Sequence, residues 1–315
     1  MRPKFASARK RVNSSDNLDA VGELLRPALA TGVTTGQNNP GTIETRKSAL
    51  EAAMNLEVIA RQPASVSHST PLLFVHGAWH GAWCWDEYFL PYFAEHGYAA
   101  HALSWRGHGN SEGGDRLRWT RVADYVEDVR QVAAGLAATP VIIGHSLGGF
   151  VTQHYLAKYS APAAVLMASI PHFGTLPYFT RFALRHPVAF LKTNLTFTPY
   201  HFVASPELVG EGFFSADMPA DKVAAYFAKI QNEAYGAALD AILFNLPHPA
   251  KVKTPLLILG AANDAVFPPH EVQATARAYN TTAEIFPDMA HDMMLEAGWQ
   301  QVADRILAWL DERGL

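Results

Sequence analysis

Cysteine is nearly absent from this chain: Cys84 is the only one in 315 residues. No disulfide can form within the chain, which fits a reducing compartment and leads to the expectation of a cytoplasmic protein. Charge of one sign is scarce too. A formal net charge of −4 offers none of the basic surface that nucleic acid demands. No uninterrupted apolar stretch approaches the roughly 20 residues of a membrane span. Near the N-terminus, Asp16, Asp19, Glu23 and Arg26 interrupt the one apolar segment that could serve a signal peptide. No His/Cys/Asp group has metal-ligand spacing, and no glycine loop has phosphate-binding spacing, so neither metal nor cofactor is expected. Cys84 itself stands between Trp83 and Trp85 at an apolar helix start, where a thiol packs rather than reacts.

What is present is a chain with 49% hydrophobic residues, enough for a large core, and one local pattern of high information. Pro140-Val141-Ile142-Ile143 reads as a buried strand, and Phe150 to Ala157 reads as a helix. Between them runs Gly144-His145-Ser146-Leu147-Gly148-Gly149, a G-x-S-x-G turn. A turn this tight tolerates no side chain beside the serine, hence Gly144 and Gly148. It also aims the N-terminus of the following helix at Ser146, where its partial positive charge favours developing negative charge.

A serine nucleophile needs a base and an acid. The apolar run Thr254 to Gly260 is a strand of the parallel-sheet kind, and Asp264 follows it. Thr282 to Phe286 forms another strand, and His291 follows that one. Neutral His291 would take the Ser146 proton while Asp264 fixes its tautomer. Asp288 and Asp292 are rival orienting acids, disfavoured because both flank His291 in sequence. A third strand, Leu72 to Val75, ends in His76-Gly77-Ala78-Trp79-His80. Acyl transfer requires two backbone N–H groups at the oxyanion, and Leu147 and Ala78 are placed to supply them. His76 and His80 read as hydrogen-bonded braces of this loop, with a chemical role as the alternative. Trp79, Trp83 and Trp85 read as wall and core, and Trp79 and His145 as substrate neighbours.

Together these residues resemble the α/β-hydrolase superfamily over about residues 54–315, in its serine-nucleophile branch. The segment Ser104-Trp105-Arg106-Gly107-His108-Gly109-Asn110-Ser111 is similar to the loop after the fourth strand in lysophospholipases and monoglyceride lipases. His76 to Trp85 is similar to the corresponding loop of plant methylesterases and hydroxynitrile lyases. Hydroxynitrile lyases of that type carry lysine after the catalytic histidine, where this chain has Asp292. Epoxide hydrolases and dehalogenases use an aspartate nucleophile, where this chain has Ser146. The resemblance implies a mostly parallel twisted sheet flanked by helices, with Ser146, Asp264 and His291 as triad and Leu147 and Ala78 as oxyanion hole.

Strands and helices alternate from 71 to 169. Helices are expected near Trp83–His96, from about Arg121 to Leu136, and around Trp299–Asp311. The core is thus 54–169 and 247–315, and a helical cap, 170–246, is inserted before the strand that precedes the acid. The cap holds fourteen Phe and Tyr residues, and an aromatic ceiling without clustered charge suits an apolar group. Phe173, Tyr178, Phe179 and Phe182, nearest the exit from the sheet, are the expected lining residues. Residues 1–53 carry a net charge of +3 and a polar, glycine-rich stretch from Thr31 to Gly41. They read as a poorly ordered extension containing one short amphipathic helix (Leu18 to Leu29), with the catalytic unit starting near Met54. The expected partner is a small-molecule ester, and the chain is expected to be a monomer or homodimer. Alternatives with the same triad are lactone opening, C–C bond hydrolysis and perhydrolysis; a non-enzymatic small-ligand receptor is the alternative from another class.

Overall fold

The computed structural model describes residues 54–315, so the expectations for 1–53 lie outside the described residues. Seven short strands set the frame: β1 (Val58–Arg61), β2 (Leu72–Val75), β3 (Ala100–Leu103), β4 (Val141–His145), β5 (Ala164–Met167), β6 (Leu256–Ala261) and β7 (Ala283–Phe286). They form one sheet in the order β1-β3-β2-β4-β5-β6-β7. β1 is antiparallel to β3 and every other neighbouring pair is parallel. β2, β4 and β5 are buried at every residue, as apolar runs without alternation require when helices cover both faces.

The chain steps from β2 outward to β3, then crosses back over β2 to β4. Connections leave β2 and β4 toward opposite sides, and a crevice opens between their carboxyl ends. His76 follows β2 and Ser146 follows β4, so this crevice is where the two loops singled out in the sequence converge.

Helices flank the sheet. The helix expected over Trp83–His96 is two pieces, α1 (Trp83–Asp86) and α2 (Phe89–Glu95), because Tyr88 leaves helical geometry at φ −137°, ψ −48°. α3 (Val122–Ala134) buries Val122, Tyr125, Val126, Val129 and Val132, and the Asp124 carboxylate accepts the Arg121 N–H at its start. α4 (Leu147–Leu156) is buried throughout. Between β5 and β6 come α5 (Leu176–Arg185), α6 (Pro187–Thr196), α7 (Pro206–Phe213), α8 (Ala220–Phe227) and α9 (Tyr235–Leu239). α10 (Pro269–Ala278) and α11 (Trp299–Asp311) complete the fold. No helix among the described residues is long and apolar enough to cross a membrane.

Candidate active site

Ser146 occupies φ 51°, ψ −117°, a conformation that costs a non-glycine residue energy and lifts its side chain clear of both strand and helix. Backbone crowding around it is severe. A Cβ on Gly148 would strike the carbonyls of Val75 and His76, and one on Gly144 would strike the Gly148 carbonyl. The two glycines let β2, β4 and α4 meet at van der Waals distance, and the elbow depends on that meeting.

The structure brings Ser146, His291 and Asp264 into one hydrogen-bonded series. His291 Nε2 lies 3.0 Å from Ser146 Oγ and His291 Nδ1 lies 2.9 Å from Asp264 Oδ2. The other Asp264 oxygen, Oδ1, accepts the N–H groups of Val266 at 2.8 Å and Phe267 at 2.9 Å. A carboxylate so held can face the imidazole with only one oxygen, which fixes the proton on Nδ1 and leaves Nε2 free to accept from the serine. The two rival acids go elsewhere. Asp288 is exposed, and Asp292 turns away from His291 to a 3.0 Å contact with His80 Nε2.

Gly77 abuts the serine: a Cβ there would lie 3.0 Å from Ser146 Cβ. His76 sets the next peptide. The Trp105 N–H donates to His76 Nε2 at 3.2 Å, so the proton sits on Nδ1, which donates to the Gly77 carbonyl at 2.7 Å. Complete burial, with His108 adding to it, holds His76 well below the ordinary histidine range and keeps it neutral. With the Gly77 C=O held on one side, the N–H of the same trans peptide, that of Ala78, points to the other. Among the described residues neither the Ala78 nor the Leu147 N–H donates to a protein acceptor. Both belong to residues that line the cavity with Ser146.

That cavity encloses about 540 Å³, its mouth included. Ser146 and His291 form its floor, and Trp79, Tyr178, Phe179, Phe202, Phe213 and Phe267 supply the aromatic part of its wall. Three residues expected beside the substrate are absent from this lining. Phe173 is carried past by the turn Pro171–Gly174, where Gly174 adopts φ 87°, and its ring packs on His172. Phe182, one turn beyond Tyr178 and Phe179, packs on Phe202 and His186 at a neighbouring cavity. His145 ends β4, and its side chain runs to the loop that carries His291 instead of into the cavity. There its Nε2–H donates to the His291 carbonyl at 2.9 Å. Burial, then the neighbouring His291, lowers His145 to about 3. Sequence reading missed Phe202, Phe213, Phe267 and Glu233 as wall residues.

His145, His291 and Asp292 place potential ligand atoms within 4.8 Å of one another. Their donor set does not fit a metal ion, because His291 has both ring nitrogens committed to Asp264 and Ser146, and the His145 Nε2–H is spent on a carbonyl.

Residues 72–305 match the model of the alpha/beta hydrolase family. A monoacylglycerol lipase of Mycolicibacterium smegmatis is 24% identical over 239 residues, covering 69% of this chain and 80% of that protein. Among solved structures, a thermophilic esterase from Thermogutta terrifontis superposes with a TM-score of 0.64 at 20% identity, over 83% of this chain and 95% of that one. A putative non-heme bromoperoxidase of Mycobacterium tuberculosis gives the same TM-score at 20% identity, over 82% and 96%. With the family matched across most of its length and the sheet, the elbow and the loop after β2 in the arrangement described, the chain belongs to the alpha/beta hydrolase family.

Proposed function

We propose that the protein is a serine hydrolase that cleaves a carboxylic ester with an apolar acyl or alcohol part. The observation that carries this reading is the Ser146–His291–Asp264 series opening into an aromatic cavity between two unengaged backbone N–H groups. Ser146 Oγ attacks the ester carbonyl as His291 Nε2 takes its proton, and Asp264 stabilises the imidazolium. The Ala78 and Leu147 N–H groups receive the oxyanion. His291 then returns the proton to the departing alcohol, and water repeats the sequence to release the acid. In this reading 54–169 and 247–315 are the catalytic core, and 170–246 is a cap whose Tyr178, Phe179, Phe202 and Phe213 enclose the substrate. The activities of the relatives, lipase and esterase, support the same class.

The test is a panel of nitrophenyl esters of graded acyl length, with Ser146→Ala as control. Each methylene buried against the cap contributes at most about 0.8 kcal/mol, roughly fourfold in kcat/KM. Specificity should rise from acetyl to butyryl or hexanoyl and fall where the cavity closes. Ser146→Ala should lower kcat by about 10⁴ or more and abolish fluorophosphonate labelling. Labelling that persists in Ser146→Ala would move the nucleophile elsewhere.

A further inference from the structure

Trp79 sits at φ 64°, a left-handed conformation that a side chain of its size adopts only under constraint. The peptide joining Ala78 to Trp79 is gripped at both ends. Its carbonyl, on Ala78, lies 2.7 Å from His80 Nδ1, and its N–H, on Trp79, donates to Glu233 Oε2 at 3.2 Å. A further bond closes on Trp79 from the same side, the Gln231 N–H donating to its carbonyl at 3.0 Å.

Both gripping groups are buried and both are charged by their surroundings. His80 is 2% exposed, and its Nε2 lies 3.0 Å from Asp292, itself 0% exposed. The Ala78 carbonyl and the Asp292 carboxylate can only accept, so both His80 nitrogens carry protons and the ring is an imidazolium. Burial alone would discharge it. The Asp292 charge and hydrogen bond, together with the Ala78 carbonyl and the Glu233 charge, outweigh burial, so that His80 is raised above the ordinary histidine value. The groups facing the ring are Asp292, Glu233, His76 and His145. Glu233, 2% exposed, accepts from Tyr125 Oη at 2.6 Å and from the Ala234 N–H at 2.6 Å on its other oxygen. His108 Nε2 stands 3.3 Å from Oε2 and helps keep the carboxylate ionised against its burial.

We propose that His80, with Asp292 as its counter-ion, and Glu233 are positioning residues that lock the Ala78–Trp79 peptide and thereby hold the Ala78 N–H toward the oxyanion. The proposal rests on the hydrolase reading above. Trp79 would relax from its strained φ by rotation of this peptide, and the adjoining Ala78 N–H would lose its aim. Asp292 also follows His291 directly in sequence. One ion pair therefore ties the base-bearing loop to the oxyanion loop.

Two substitutions probe the lock. Glu233→Met, of similar size, removes the acceptor of the Trp79 N–H whichever way the side chain turns. His80→Leu, made in an Asp292→Asn background, removes the grip on Ala78 without stranding a buried charge. Loss of a whole oxyanion donor costs about 10²–10³ in kcat, which sets the ceiling. Both variants should lose about tenfold or more in kcat, with KM for a butyryl ester little changed. Inhibition by a trifluoromethyl ketone, which forms a tetrahedral adduct, should weaken in proportion. Asp292→Asn alone leaves a neutral His80 able to keep its Nδ1–H on Ala78, and should lose several-fold less than the double variant.

Rates are taken per active site titrated with a fluorophosphonate, so that misfolded protein does not count. Wild-type kcat per titrated site in both variants would overturn the lock. An arm independent of activity and of any variant is ¹⁵N-histidine NMR of the wild-type chain. It should show a proton on His80 Nδ1 at pH 8, where the grip on the Ala78 carbonyl must hold, and a His80 unprotonated at Nδ1 there would overturn the proposal too. A wild-type chain that neither turns over esters nor takes the label would instead defeat the hydrolase reading, leaving the NMR result to judge the lock.

Discussion

Replacing His145 by glutamine should change how stability responds to acid, by an amount the structure sets. His145 is 1% exposed, its Nε2–H bonds the His291 carbonyl, and its Nδ1 has no hydrogen-bond partner among the described residues. Burial, with His291 second, lowers its pKa to about 3, against about 6.5 in an unfolded chain. The unfolded state therefore binds a proton that the folded state refuses. A group depressed in this way contributes stability that is fully present above pH 6.5 and is lost as pH falls toward 3. Each pH unit within that window costs about 1.4 kcal/mol. Between pH 8 and pH 5 the wild type should lose about 2 kcal/mol through this one residue. Glutamine can donate to the same carbonyl and does not titrate, so the variant lacks this loss. Urea unfolding of both proteins at pH 8.0, 6.5, 5.5 and 5.0 gives the difference directly, with all other titrating groups cancelling to first order. The advantage of wild type over His145→Gln should shrink by about 2 kcal/mol across the series. A constant difference would show that His145 titrates normally, and would refute the claim that its burial keeps it neutral.

Two further outcomes follow from the geometry. In Asp264→Asn the carbonyl oxygen must stay with the Val266 and Phe267 N–H groups, which turns the NH₂ toward His291 and forces the proton onto Nε2. That tautomer cannot accept from Ser146, so kcat for ester hydrolysis should fall by about 10²–10⁴, while exposed Asp288→Asn should change it little. Gly148→Ala drives a methyl into the Val75 and His76 carbonyls, so thermal unfolding should show a clear loss of stability or a failure to fold, and a wild-type Tm would contradict the packing described.

The convergence of Ser146, Asp264 and His291 was readable from the sequence because each follows a strand at the carboxyl edge of a mostly parallel sheet. Local pattern and chain order suffice to bring such residues together. The same logic made the Ala78 loop visible, since it leaves the sheet beside Ser146 where the strand order reverses. The cavity wall was readable only in part: Trp79, Tyr178 and Phe179 line it as expected, and its other aromatics were not foreseen. Phe202 and Phe213 belong to short segments whose placement depends on how five helices pack together, and no periodicity encodes that. Phe173 is near the sheet exit in sequence only, because the Pro171–Gly174 turn carries it past the cavity. His145 adjoins the serine in sequence only, since it ends β4 and its side chain bonds the His291 carbonyl. Glu233 gave no local signal, being one of six acids between 170 and 246, and its partners Tyr125 and Trp79 are more than a hundred residues away.

The contact of Gln231 and Glu233 with Trp79 bears on how this enzyme could be engineered. Exchanging residues 170–246 for a foreign sequence looks like a way to change the substrate while keeping the chemistry. Here the exchanged piece would take with it the acceptor of the Trp79 N–H and the donor to the Trp79 carbonyl. A chimera could keep every atom of Ser146, His291 and Asp264 and still turn over slowly. Libraries aimed at chain-length preference should therefore vary Tyr178, Phe179 and Phe202 and carry Gln231 through Glu233 unchanged, because selectivity and rate share that short stem.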